Sequence, residues 1–251
     1  MNMKKTLIAA ALFTLGLSGC ATSDNGALLG AGLTALQGFT LSKSQLQAEA
    51  SLSAKQMDEE NKLAPANDAY SKRLAKLTRG LTSIDGTPLD FQVYLDDEIN
   101  AFAMPDGTVR VYSGLMDVME DDELMAVIGH EVGHIKFEHS LNRYKTAYLT
   151  SAARQAAGAM GGTVGALAAS EYAEIGTQFL GARFSQKDEL QSDAYGVEFL
   201  CQVNMDPYAA MRAQQKLMQH AGSGGGLFSS HPSTAKRIEL ARDAAANSSC
   251  R

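Results

Sequence analysis

The sequence predicts an α+β domain that is mostly helical and carries one small antiparallel sheet. Two periodicities lead to this. Over most of the chain from Ser42 onward, apolar residues recur at three- and four-residue spacing, as in helices with one buried stripe. Between Gly86 and Tyr112 the period becomes two: Phe91, Val93 and Leu95, then Val109 and Val111, alternate with polar residues on either side of the turn Pro105-Asp106-Gly107. The chain has 251 residues, 45% of them hydrophobic and 20% charged, with five prolines, so one core of ordinary size can form and disorder is not expected. A net charge of −6 and the lack of a basic cluster beyond the first few residues speak against a nucleic-acid partner.

Lys4 and Lys5 precede an apolar run from Leu7 to Leu17, too short for a mature membrane span and of the form of an export signal. Leu17-Ser18-Gly19-Cys20 resembles the lipobox of bacterial lipoproteins. That resemblance implies removal of residues 1–19, a lipid on Cys20 and attachment to the membrane through it. The absence of aspartate after Cys20 fits the outer membrane, facing the periplasm. Residues 20–41 then form a tether and N-terminal segment, in which 27–39 read as a helix packed on the domain, and 42–251 form a single domain.

Ser42 or Ser44 can cap a helix reaching about Asn61, and Leu63 to Ala66 break it before a second helix with Tyr70, Leu74, Leu77 and Leu81 on one stripe. After the strands, Glu120 to Asp122 offer capping carboxylates for a helix to about His139, buried through Leu124, Val127, Ile128 and Ile135. The small residues of 150–170 include Arg154 and Gln155 and read as helical segments rather than a membrane span. Further helices are expected over 181–203, from Asp206-Pro207 to near His220, and from near Ser233 to about Ala245, with a flexible loop at Gly222 to Gly226.

The chemistry centres on His130-Glu131-Val132-Gly133-His134. This is H-E-x-x-H: residues i and i+4 share a helix face, so both imidazoles can bind one tetrahedral zinc ion. Glu131 flanks that face and can take a proton from the water that zinc acidifies. A third protein ligand is then needed. The metzincin arrangement fails, because Phe137 stands where its glycine belongs and His139 is one residue early. Downstream, Glu189 and Asp193 lie one helical turn apart, so Glu189 can ligate while Asp193 hydrogen-bonds a ligating imidazole. His139 is expected to serve as a helix-end structural residue.

These motifs, with Phe184-Ser185-Gln186, His231-Pro232-Ser233 before Arg237, and Asn100 to Pro105 followed by Gly114-Leu115-Met116, resemble the gluzincin metalloproteases related to HtpX and the CAAX prenyl proteases. The resemblance covers roughly Tyr70 to Ala241, and with the lipobox it points to the lipid-anchored outer-membrane branch. Ser192 and Gln186-Lys187 depart from the usual pattern without removing a ligand. The resemblance implies a zincin-like fold, Zn2+ as cofactor, Glu189 as third ligand and Asp193 as orienter of a zinc histidine, His130 being the expected one. It places Asn100 on the edge strand beside the cleft, where substrate backbone can add and the amide can help hold the oxyanion. It also brings His231 to the metal site, as oxyanion stabiliser or as cap on the zinc in a resting state.

With Cys20 committed to lipid, Cys201 and Cys250 remain. A disulfide tying the tail to a helix is one expectation in an oxidising compartment and two free thiols the other, while their separation excludes a CxxC site. The function expected is a zinc endopeptidase acting on unfolded or misassembled envelope polypeptides, with a protein partner in the outer membrane left open. The alternatives are a non-enzymatic or latent zinc lipoprotein acting as chaperone or assembly factor for outer-membrane proteins, and a zinc amidase acting on cell-wall peptides.

Overall fold

Ser42 begins the first helix of the computed structural model, which describes residues 41–159, 169–220, 227–232, 234–248 and 250. The expected signal segment, Cys20, residues 27–39 and the glycine run 222–226 lie outside the described residues. Helix α1 (Lys43–Glu60) starts on a reciprocal capping box between Ser42 and Gln45. Helix α2 (Ala69–Leu77) is capped by Asp68, whose carboxylate accepts from the Tyr70 N–H. The expected stripe is one residue too long: the helix ends at Thr78, and Gly80 at φ +90° turns the chain before Leu81. Arg73 on α2 donates to Asp121 and to the carbonyls of Met116 and Met119, tying α2 to the start of the central helix.

Strands β1 (Ser83–Ile84) and β2 (Thr87–Pro88) make a two-stranded antiparallel ribbon. The main sheet has three strands, β3 (Asp90–Tyr94), β4 (Ala101–Ala103) and β5 (Thr108–Tyr112), in the order β3–β5–β4. The antiparallel pair is β4 with β5, joined by the expected turn; β3 lies parallel to β5, so the sheet is mixed. The intervening β4 reverses the chain once more than a simple hairpin would, and β3 meets β5 from the far side. Gly107, at φ +96°, is required at the turn, because a Cβ there would fall 1.7 Å from the Pro88 carbonyl oxygen. Buried Arg110 on β5 forks onto Asp58 of α1 at 2.8 Å on both oxygens and pairs with Asp90 at 2.9 Å.

After the sheet come α3 (Ser113–Val118), α4 (Asp121–Lys136), α5 (His139–Ala159), α6 (Ala169–Gly181), α7 (Gln186–Gln202), α8 (Ala209–His220), α9 (Leu227–Ser230) and α10 (Ala235–Ala246). The helix expected to reach His139 stops at Lys136, since Glu138 takes a left-handed φ of +60° and α5 begins at His139. The helix expected from Gly181 begins only at Gln186, where Ser185 and Asp188 form a capping box. One core packs α4, α7, α8 and α10 against β3 and β5 through residues such as Val93, Val111, Leu124, Ile128, Phe199 and Leu200. A second packs α1, α5 and α6 around Tyr94, Phe102, Tyr112, Tyr144 and Phe179. Cys201 on α7 and Cys250 are joined by a disulfide. Among the described residues no helix is long and apolar enough to cross a membrane.

Candidate metal centre

Every residue of α4 from Glu123 to Ile135 is buried, so this helix has no solvent face and its polar side chains must find partners inside. Asp121, Asp122 and Glu123 fill its first turn, where the helix dipole favours negative charge, and Glu120 with Glu123 forms its capping box. Against α4 lies α7, close enough that a Cβ on Gly129 would meet Phe199 at 2.5 Å. That crossing brings Glu189 and Asp193, four residues apart on one face of α7, to His130 and His134, four residues apart on one face of α4.

The donor atoms converge. His130 Nε2 and His134 Nε2 are 3.0 Å apart, His231 Nδ1 lies 3.2 Å from His130 Nε2 and 2.8 Å from Glu189 Oε1, and His134 Nε2 is 3.4 Å from Glu189 Oε1. One ligand atom from each of His130, His134, Glu189 and His231 lies within 4.8 Å of every other. His134 is 0% exposed, and the other three are buried as well. Two or three imidazole nitrogens and one carboxylate oxygen converging on one buried point make a zinc donor set. The buried Oε1 of Glu131 has no hydrogen-bond partner, with His231 Nε2 3.6 Å away, which suits a carboxylate reserved for a water at the metal.

Asp193 Oδ1 lies 2.9 Å from His130 Nδ1, on the side of the ring away from the cluster. Arg237 grips the same carboxylate at 2.6 and 2.7 Å and reaches Glu189 Oε2 at 2.7 Å. Burial raises the Asp193 pKa, and Arg237, followed by His130, more than offsets this and holds it below the usual carboxylate range. Burial likewise opposes charge on Glu189, yet His231, His134 and His130 hold its pKa far below normal. Burial pushes His134 well below the ordinary imidazole value and His139 down as well.

Asn100 immediately precedes β4, the edge strand, and it lines a small chamber with Ala101 to Ala103, Glu131 and His231. Phe179, Phe184 and Arg143 close the other side. The chamber holds about 10 Å3, at the lower bound for one water, so no peptide fits without movement. His231 enters through α9, which is tied to the site by Leu227 N–H on the Ile99 carbonyl and Phe184 N–H on the Ser230 carbonyl.

The structure thus brings together His130, Glu131, His134, Glu189, Asp193, His231 and Asn100. Cys201 and Cys250 lie apart from the site, and Cys20 is outside the described residues. Sequence reasoning gave no role to Arg237, although it stands six residues after His231. Phe184, read only as part of a motif, was given no role, though its ring stacks on His134 at 3.8 Å; Arg143 was missed altogether, and its guanidinium lies 4.7 and 4.2 Å from the rings of Phe179 and Phe184. A phenylalanine that touches a histidine and an arginine from two other elements leaves no local pattern.

Two helices crossing on their imidazole and carboxylate faces beside a small sheet define the class: a zinc-dependent metalloprotease. Residues 67–245 match the sequence profile of peptidase family M48. The chain is 37% identical over 245 residues to "Metalloprotease LoiP" of Escherichia coli (strain K12), covering 97% of each protein. It is 34% identical over 248 residues to "Metalloprotease YcaL" of the same strain, covering 97% of this chain and 98% of that one. The "Beta-barrel assembly-enhancing protease" of that strain is 29% identical over 170 residues, which are 63% of this chain and 35% of that protein. The chain belongs to peptidase family M48; it hydrolyses polypeptides, and its metal is zinc.

Proposed function

We propose that this metalloprotease is an endopeptidase of the bacterial cell envelope, held on the periplasmic side of the outer membrane by a lipid on Cys20, and that it cleaves unfolded or misassembled envelope proteins. The observation that carries the mechanism is the buried, unpartnered Oε1 of Glu131 beside four converging donor atoms. In this reading His130 and His134 ligate through Nε2, Glu189 through its carboxylate, and Asp193 orients His130. Zinc, when bound, polarises the scissile carbonyl and acidifies the attacking water. Glu131 takes the water's proton at Oε1 and returns it to the amide nitrogen as the C–N bond breaks. Asn100 and His231, which line one chamber with Glu131, are placed to hold the oxygen that gains negative charge. Extended substrate backbone adds to the edge of β4, a mode that reads main chain more than side chains and so suits unfolded polypeptides. The relative named for beta-barrel assembly supports an envelope substrate, and the lipobox at Cys20 supports the location.

One observation favours a second reading, latency. His231 completes a four-donor set and the chamber is too small for a peptide, so the described arrangement fits a resting form that opens when α9 moves. A purely non-enzymatic assembly factor would have no use for Glu131. The test is zinc content and cleavage of an unfolded model protein by the full chain, by Glu131→Gln and by His231→Ala. Glu131→Gln is expected to keep its zinc and lose cleavage by about 10²- to 10⁴-fold; retained cleavage would remove Glu131 as the base. A drop of about 10- to 10³-fold in His231→Ala would make His231 an oxyanion stabiliser, and a gain would make it the resting cap.

A further inference from the structure

We infer that His139 is a positioning residue: it accepts the Nδ1 proton of His134 and so fixes that imidazole in the tautomer that turns Nε2 to the metal. This rests on His134 being a zinc ligand, as proposed above. His134 is wholly buried, and its Nε2 faces His130 Nε2 and Glu189 Oε1. Its other nitrogen has one neighbour of interest, His139 Nδ1 at 3.2 Å. Two ring nitrogens at that distance share one hydrogen. If the Nε2 lone pair of His134 serves the metal, the hydrogen sits on His134 Nδ1, and His139 Nδ1 is the acceptor. The proton of His139 then resides on Nε2, and Asp188 Oδ1 faces that atom at 3.5 Å. Ser192 Oγ, 3.4 Å from His139 Nδ1, can donate to the same lone pair.

The backbone is shaped for this contact. Glu138, in the left-handed region at φ +60°, breaks α4 from α5 so that His139 folds back on the end of α4 that bears His134. A residue other than glycine is held there only where surrounding contacts over-determine it. Phe184, stacked on the His134 ring, sets the plane of the imidazole, and His139 sets its edge. The two zinc histidines are therefore supported differently: His130 backs onto a carboxylate that Arg237 neutralises, and His134 backs onto a neutral ring. Removing His139 leaves a buried N–H on His134 without an acceptor, and loss of such an outer partner commonly weakens metal binding by about 10- to 100-fold.

The experiment uses the full chain carrying Glu131→Gln, labelled with 15N-histidine and loaded with zinc, and assigns ring protons by two-bond 1H–15N correlation. His134 is expected to carry its proton on Nδ1 and His139 on Nε2. If His134 binds zinc through Nε2 but His139 is protonated at Nδ1, the inference is overturned and the zinc site stands. If the His134 signals do not respond to zinc removal, the proposed ligand set itself fails. In parallel, His139→Ala should speed zinc release to a chelator by about 10- to 100-fold, and His139→Asn, which puts an amide oxygen near the lost Nδ1, should recover most of that. Release at the parent rate from a folded His139→Ala would also overturn it, and the tautomer assignment is made with His139 itself in place.

Discussion

Glu189 and Asp193 sit one turn apart on α7 and face the same cluster, yet Arg237 treats them differently. It forks onto Asp193 with two short hydrogen bonds and touches only one oxygen of Glu189, leaving Oε1 turned to His231 and His134. Without Arg237 two buried carboxylates would lose their fixed cation. Arg237→Met should therefore destabilise the chain by about 3–5 kcal/mol in urea unfolding, and an unchanged midpoint would show that the histidines alone carry the charge balance. At this scale legibility was uneven. His130, Glu131 and His134 were plain because one helix carries the whole motif, and Glu189 with Asp193 because both lie on another. Asn100 and His231 were reachable only through resemblance, since a strand-end asparagine and a loop histidine carry no local signal. The reach of Arg237 depends on how α10 packs against α7, which no spacing in the chain records.

Between elements, the crossing of α4 and α7 decides whether the site exists. Gly129 meets the Phe199 ring and Gly133 lies against Ser192 and Tyr195, so small residues set the helix separation that brings Glu189 within 3.4 Å of His134 Nε2. Gly129→Ala should cost about 1–3 kcal/mol through overpacking, offset partly by the better helix propensity of alanine. The same variant should loosen zinc binding, measured by competition with a chelator; intact affinity would mean that Phe199 yields and the crossing holds. Helices α1 and α4 and their caps were legible because Ser42 and Glu120 announce them locally; the caps at Asp68 and Ser185 went unread, and α7 was expected to start at Gly181, before its cap. The sheet was legible as strands but not as a topology: alternation gives each strand a buried face and says nothing about whether β3 runs with or against β5. The left-handed turn at Glu138 was hidden too, as glutamate gives no warning of it.

Across the whole molecule, the disulfide from Cys201 to Cys250 closes a loop with a sequence separation of 49 and ties the C-terminal end to α7, the helix that carries Glu189. Replacing Cys201 by serine should lower stability by about 2–4 kcal/mol, read as a reduced unfolding midpoint under oxidising conditions and no difference from the parent under reducing ones. A parent chain indifferent to reductant would mean that this bond adds nothing to the fold. The covered edge of β4 has a consequence of another kind. An unpaired strand edge that accepts a peptide will as readily accept the edge of a neighbouring copy, which is how sheets seed aggregates. Here the edge is three residues long, fully buried, and faced by Phe179, Phe184 and His231 across the chamber. On the latent reading proposed above, the cover that keeps substrates out also shields this edge from a second copy, and a variant held permanently open should trade catalytic gain for a tendency to clump.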